Sequence, residues 1–308
     1  MGNEFIGTDY DCPSYPLCEG SWKIDNQEKW DEISSGTRNN IPFSTPLAPY
    51  IGLSYQKGGL MLVSINFNFS GDDWDARKGP VDTNSHRLDK NWRRGSLFSN
   101  AEKLINSIFS ISGGTDYADQ VYAFANIVKC SPHNHLSQRS YPSRTQFHQC
   151  IYEREHIQNE IELLDPGLIL CIGYDAFEHL LTKNIQKRLP LGQRARITGT
   201  IARIDADTII VGVPHLSGGM RAINIKNKAY KAGNKNAAEG YPVLRGRSYE
   251  EAMNYLEQNG IKKWFGDNIV LPAMAYEIKD FLIRTEPRLY ERIRGQLQSH
   301  VRPKPTPA

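Results

Sequence analysis

Four short apolar runs punctuate the first two-thirds of the chain: Leu60–Asn66, Val121–Val128, Leu168–Ile172 and Thr208–Val213. Each is continuous rather than alternating, the pattern of a strand covered on both faces of a sheet. Between the second and third, Ile151, Ile157, Ile161 and Leu164 recur at helical spacing. They predict a helix from Ser143 to Leu164, stopped by Asp165-Pro166-Gly167. A second helix is expected over Ser99–Phe109, with Leu104, Ile105 and Ile108 on its inner face, and a third from about Asp175. Residues 197–204 (ITGTIARI) alternate and predict an added strand or hairpin. Strands alternating with helices imply an α/β fold: a three-layer α/β/α arrangement around a central four-stranded parallel sheet.

After Arg247 the pattern changes. Ser248–Gln258 reads as a helix opened by a capping box, Ser248 with Glu251 three residues on, and Ala273–Gln298 as one or two more. The expected organisation is therefore an α/β/α domain with a cysteine-bearing N-terminal arm over residues 1–245. A helical extension over 246–300 and a disordered tail over 301–308 (VRPKPTPA) complete it.

Composition narrows the class. With 308 residues, 39% apolar and 23% charged, the chain can bury a sizeable core as a soluble protein. It has no run of about 18 apolar residues, and its start (MGNEFIGTDYDC) lacks a signal-peptide layout, so a cytoplasmic, non-membrane protein is expected. The net charge of +3 says little, but its distribution is uneven. Lys183–Arg203 holds six basic residues and no acid, and Arg221–Arg247 seven against Glu239 alone. Such stretches form either a solvated basic face or a track for a phosphate backbone. No G-x-S-x-G, P-loop or dinucleotide fingerprint stands where an acyl or phosphoryl transferase would need it.

Of the five cysteines, Cys171 lies in the apolar LILCIG and reads as a small buried hydrophobe. Cys12, Cys18, Cys130 and Cys150 flank polar, proline-containing loops, where burial is the poorer explanation and metal ligation the alternative.

In a parallel sheet the carboxyl ends of the strands meet along one edge, where ligands bind. The first strand leads into Asn66-Phe67-Asn68, and the second carries Asn126 before Lys129-Cys130-Ser131-Pro132. The third leads into Gly173-Tyr174-Asp175, and the fourth into Pro214-His215-Leu216-Ser217-Gly218-Gly219. Alone, His215 reads as a satisfied loop histidine. Two asparagines, a histidine and glycine-rich backbone on one edge point instead to a ligand site.

These residues bring a resemblance. Asn126-Ile127-Val128-Lys129-Cys130 with Pro132, Cys150 before a helix, and Leu164-Asp165-Pro166-Gly167 running to Gly173-Tyr174-Asp175-Ala176 stand in the order of one family's motifs. So do Gly95-Ser96-Leu97-Phe98 at a helix start and His215-Leu216-Ser217-Gly218-Gly219-Met220-Arg221. Over about Cys12 to Arg221 the chain resembles the uracil-DNA glycosylase superfamily, closest to its iron–sulfur (family 4-like) branch.

The resemblance implies a monomeric enzyme that flips a pyrimidine out of DNA and hydrolyses its N-glycosidic bond, leaving an abasic site. It implies that His215 donates to the base carbonyl that collects charge, and that Asn126 reads the Watson–Crick edge. Phe98 would stack on the base, beside Phe67, and Asn66 would orient water. Ser217, Gly218, Gly219, Met220 and Arg221 would form the loop that enters the DNA. A structural 4Fe–4S cluster would be held by Cys12, Cys18, Cys130 and Cys150, tying the N-terminal arm to the core.

The chain also departs from the family. Five residues separate Cys12 from Cys18 where the branch has two; Phe67 and Leu216 replace prolines; and the branch's C5-gating glutamate aligns with Gly71. An open C5 gate implies a modified, bulky pyrimidine such as occurs in modified viral DNA, with a role in phage defence, in place of plain uracil. The two lost prolines keep a second reading open, a nucleic-acid-binding member without catalysis.

Overall fold

A computed structural model describes residues 12–35, 42–44, 46, 49–52, 54–65, 96–111, 121–132, 136, 142–184, 187–189, 200–204, 208–216, 220–238, 240–261 and 265–300. The fold is mixed α/β, the class the sequence implies. Seven strands are described: β1 (Tyr50–Ile51), β2 (Leu60–Ser64), β3 (Tyr122–Asn126), β4 (Leu168–Ile172), β5 (Lys187–Leu189), β6 (Thr200–Arg203) and β7 (Ile209–Val213). They form one sheet in the order β1-β3-β2-β4-β7-β6-β5. The four expected strands are its middle, β3-β2-β4-β7, and every residue of all four is buried, as continuous apolar runs require.

The expected four-stranded parallel sheet is corrected to seven strands with an antiparallel edge. β4 and β7 run parallel, but β6 pairs antiparallel with β7 (Ile201 opposite Val211) and β5 antiparallel with β6. Ile204 N–H donates to Thr208 O at 3.1 Å, so the chain reverses within a few residues, and so short a return can only give an antiparallel neighbour. The alternating run 197–204 carried that signal. The two residues of β1 are too short to leave a pattern.

The single helix expected over Ser143–Leu164 is also corrected. The chain forms a short α-helix (Arg144–Phe147), a π-helix (His148–Glu153) and then a separate α-helix (His156–Leu164). Arg154 N–H reaches back five residues to Gln149 O at 2.9 Å, and Glu155 has a left-handed φ of 51°. The cause is in the apolar spacing. Ile151 and Ile157 are six apart, off a common helical face of one continuous helix, yet both are buried.

The chain divides into two compact units. One comprises residues 1–51, 63–92 and 124–164; the other comprises 52–62, 93–123 and 165–308. In the first, α1 (Tyr15–Asp25), α2 (Gln27–Ser34) and the helices just described enclose Cys18, Trp30, Ile33, Phe43, Cys130 and Leu136. In the second, α3 (Ser96–Ile108) packs on the helix Val270–Thr285, and the helix Tyr174–Asn184 packs over β4 and β7. The phenyl of Phe177 lies so close to β7 that a Cβ on Gly212 would sit 2.7 Å from its Cγ. The helix Met220–Lys231 follows β7. The capping box at Ser248 is present: its Oγ accepts from Glu251 N–H and the Glu251 carboxylate accepts from Ser248 N–H, opening Tyr249–Gln258. The last helical region is two helices, Val270–Thr285 and Pro287–Ser299, parted at Glu286-Pro287. Arg203 on β6 pairs with Glu286 at that junction. Among the described residues no helix is long and apolar enough to cross a membrane. The tail 301–308 lies outside the described residues.

Candidate active site and thiol cluster

His215 stands where β7 leaves the sheet. Ile172 and Val213 are partners in the parallel β4–β7 ladder, so Gly173 and Pro214 leave side by side, and Gly173 N–H donates to Val213 O at 2.9 Å. Gly173 has φ of 104°, backbone that L side chains rarely adopt, and His215 Cδ2 lies 3.7 Å from where a Cβ there would be. The imidazole therefore lies along bare backbone. Pro214 and Leu216 on either side are buried while His215 itself is exposed. Asn100 of α3 donates from Nδ2 to Leu216 O at 2.7 Å. Buried neighbours and a fixed carbonyl thus hold the histidine outward. Although the residue is open to solvent, the atoms packed behind its ring lower its pKa below the usual 6.5, which favours the neutral imidazole near pH 7.

In the other unit, Ile127 N–H donates to Ser64 O at 2.9 Å and Val128 N–H to Ile65 O at 2.8 Å, so the segments ending β2 and β3 run in the same sense. Asn126 closes β3 at 3% exposure, and among the described residues its Oδ1 has no hydrogen-bond partner. An amide oxygen left so costs about 1–3 kcal/mol. Asn66, Phe67, Ser217, Gly218 and Gly219 lie outside the described residues, as do the side chains of Phe98 in α3 and Met220 at the head of its helix. Arg221 is exposed on that helix's first turn. Asn126 and His215 are thus placed each within its own unit.

Cys12, Cys18, Cys130 and Cys150 are all buried, although their flanking sequences argued against burial. The wide spacing of the first two is absorbed locally. Tyr15 N–H donates to Cys12 O at 2.8 Å, closing a turn, and Cys18 follows in the first turn of α1. Cys130 ends the segment after β3, and Cys150 lies in the π-helix. Gln146 joins these pieces. Its Nε2 donates to Cys130 O at 3.1 Å, while its Oε1 accepts from Trp22 Nε1 at 2.6 Å and from Ser143 N–H at 2.9 Å.

Three of the four thiols are shifted upward. Burial first, then the charges of the other cysteines, push Cys18 up to about 12 and Cys130 well above its usual 9.0. Burial raises Cys150 to about 11, with an opposing pull from the Lys129 N–H and ammonium. Cys171, by contrast, is raised by burial alone, as a core thiol should be. His156 sits 3.4 Å by Nε2 from Cys12 Sγ, and burial, with Lys129 and Arg154 nearby, lowers its pKa to about 4. Lys129 is fully buried and paired with Glu160 at 2.5 Å. Such a pair survives burial only because each charge answers the other.

Among the described residues no three His, Cys, Asp or Glu side chains close on a point as ligands of a single ion do. Cys12, Cys18, Cys130 and Cys150 are buried in one unit and are the donor type an iron–sulfur cluster takes, without converging as a closed ligand set.

The sequence reasoning missed Asn100 and Gln146. A capping box at Ser143 was the only local signal for Gln146, and nothing in the sequence marks Asn100's bond to Leu216.

A family model described as the uracil DNA glycosylase superfamily matches residues 80–235, just over half of the 308-residue chain. The match includes Asn126, Cys130, Cys150 and His215; Cys12, Cys18 and Asn66 precede it. No curated protein matches the sequence. With β3, β4, β7 and the segments that follow them inside the matched region, the chain belongs to the uracil-DNA glycosylase superfamily.

Proposed function

We propose that the protein is a monofunctional DNA glycosylase that acts as a monomer, extrudes a pyrimidine and hydrolyses its N-glycosidic bond. Superfamily membership suggests the activity, and the observation that carries the assignment to this site is the buried, unpartnered Oδ1 of Asn126. A base edge offering an N–H would satisfy it, and the amide's own NH₂ can donate to the neighbouring carbonyl, as pyrimidine reading requires.

Bond cleavage leaves negative charge on the departing base, so a fixed donor at its carbonyl oxygen lowers the barrier. His215 takes that role. A neutral imidazole donates one N–H without first losing a proton, and the clamped backbone fixes its direction before the base arrives. Asn66 orients the water that attacks the sugar carbon, and Phe98 and Phe67 cover the base. Ser217, Gly218, Gly219, Met220 and Arg221 form the loop that fills the gap left in the stack.

Cys12, Cys18, Cys130 and Cys150 would hold a structural 4Fe–4S cluster. When bound, it supplies four strong Fe–S ties between the N-terminal arm and the segments after β3.

The gap at Gly71, where the branch carries its C5-gating glutamate, favours a modified, bulky pyrimidine and hence a role against modified viral DNA. Free-base release from DNA containing uracil, hydroxymethylated or glycosylated pyrimidines tests this. Release of the modified bases is the expected result; efficient release of uracil alone would overturn the substrate assignment and leave the glycosylase reading standing.

A further inference from the structure

A pocket lies far along the chain from the residues assigned above, at the junction of the helices Val270–Thr285 and Pro287–Ser299 with the end of α3. It encloses about 270 Å³ and is lined by Ser110, Lys279, Tyr290, Glu291 and Arg294, with Ile283 and Pro287 as its apolar wall. That is just below the range of about 300–1,000 Å³ typical of clefts for drug-sized ligands, so the occupant is a small group.

Its polar side chains carry two cations, Lys279 and Arg294, against one carboxylate, Glu291. Lys279 Nζ donates to Ser110 Oγ and to Asn259 O, both at 2.8 Å, using two of the ammonium's three donors. Arg294 brings a second cation, close enough to reinforce the effect of burial in lowering the Lys279 pKa. Two neighbouring cations repel, and one carboxylate, Glu291, offsets them only in part. Arg294 answers only weakly to Glu291, at 3.4 and 3.5 Å from Nη1, and its Nε is buried with no partner among the described residues. Guanidinium Nε belongs to the fork that grips two oxygens of one oxyanion.

The surroundings are rigid. Tyr290 donates to Ile108 O at 3.3 Å and stacks on Phe109 with ring centres 5.4 Å apart. Ser110 adopts a left-handed φ of 54°, and backbone held this way in a residue other than glycine clusters at ligand sites.

We infer that Lys279, Arg294 and Ser110 form a binding site for a phosphate-type oxyanion, with the Arg294 guanidinium and the third Lys279 donor as its principal contacts. The site is separate from the proposed base-excision residues, and its test needs no catalysis. The shared chemistry is a phosphate group, from free phosphate or from the end of a DNA strand.

Calorimetric titration of the full chain with inorganic phosphate, against chloride at equal ionic strength, is the test. Saturable phosphate binding that weakens at least about tenfold (about 1.4 kcal/mol) in both Arg294→Gln and Ser110→Ala is expected. Arg284→Gln, which removes an exposed cation paired with Asp280, keeps full affinity. Circular dichroism checks that each variant is folded, and Ser110→Ala keeps the test decisive if Arg294→Gln is not. A 5′-phosphorylated oligonucleotide that competes for the site, where its unphosphorylated twin does not, identifies a strand end as the source; no competition identifies free phosphate. A response equal in phosphate and chloride, or unchanged in folded Arg294→Gln or Ser110→Ala, overturns the assignment.

Discussion

Asn100 Nδ2 donates to the carbonyl of Leu216 at 2.7 Å, across more than a hundred residues of sequence. This bond restrains the backbone directly after His215. The fully buried Leu216 side chain anchors the same residue from its other side. Asn100→Ala should therefore cost only about 0.5–1.5 kcal/mol of global stability in urea unfolding. Base release should fall more than that, by about tenfold in kcat with KM little changed, because a misdirected donor is felt mainly in the transition state. Equal activity in the variant would show that the bond does not orient His215.

Gly212 is a strand glycine with a packing reason. A Cβ there would meet Phe177 Cγ at 2.7 Å and Cβ at 2.9 Å, and the Phe177 side chain is fully buried and has no room to retreat. Gly212→Ala should destabilise by about 1–3 kcal/mol, read as a lower unfolding midpoint at unchanged slope. Gly233→Ala shows the contrast between space and conformation: a Cβ meets nothing within 4 Å, and only its φ of 81° opposes the change. Its cost should be the smaller.

Cys130→Ser and Cys171→Ser separate a ligand from a core thiol. Protein purified without oxygen should be brown, with iron and sulfide in equal amounts. Cys130→Ser should lose both, as should Cys12→Ser, Cys18→Ser and Cys150→Ser. Cys171→Ser should keep its iron and lose only stability, since that thiol is raised by burial alone. Bound zinc, or iron unaffected by Cys130→Ser, would contradict the cluster.

The parts of the fold that could be read from the chain were those written in local pattern. β4 coincides with Leu168–Ile172 because Pro166-Gly167 and Gly173 bracket five apolar residues, and Ser248 announced its helix through Glu251. What stayed hidden depends on distant partners. Asn100 and Gln146 are ordinary polar residues until the fold brings Leu216 O and Cys130 O to them. The burial of Cys18 was masked in the same way: proline-containing polar flanks suggested a surface loop, whereas Trp22, Trp30 and Phe43 pack in one cluster with it. The break in the helix before His156 was legible in principle, from the six-residue step between Ile151 and Ile157.

The pH profile tests the charge state assigned to His215. Burial lowers its pKa below the usual 6.5, so the folded protein binds the proton less readily than a free histidine, and the neutral form predominates from pH 8 down to 6.5. The rate of base release should be flat over that interval and decline only below it. A rate that climbs as pH falls through 6.5, and ceases to do so in His215→Gln, would show that the imidazolium is the working form.

The central claim is tested most directly by single-turnover formation of abasic sites on DNA carrying uracil or modified pyrimidines. Wild-type protein should form them. His215→Ala should lower the rate by about 10²–10³-fold, the loss expected when one fixed donor to a developing oxyanion is removed. Asn126→Ala should lower it at least about tenfold while the variant still folds. If folded wild type forms no abasic sites on any of these substrates yet still binds them, or if His215→Ala is as fast as wild type, the account is contradicted.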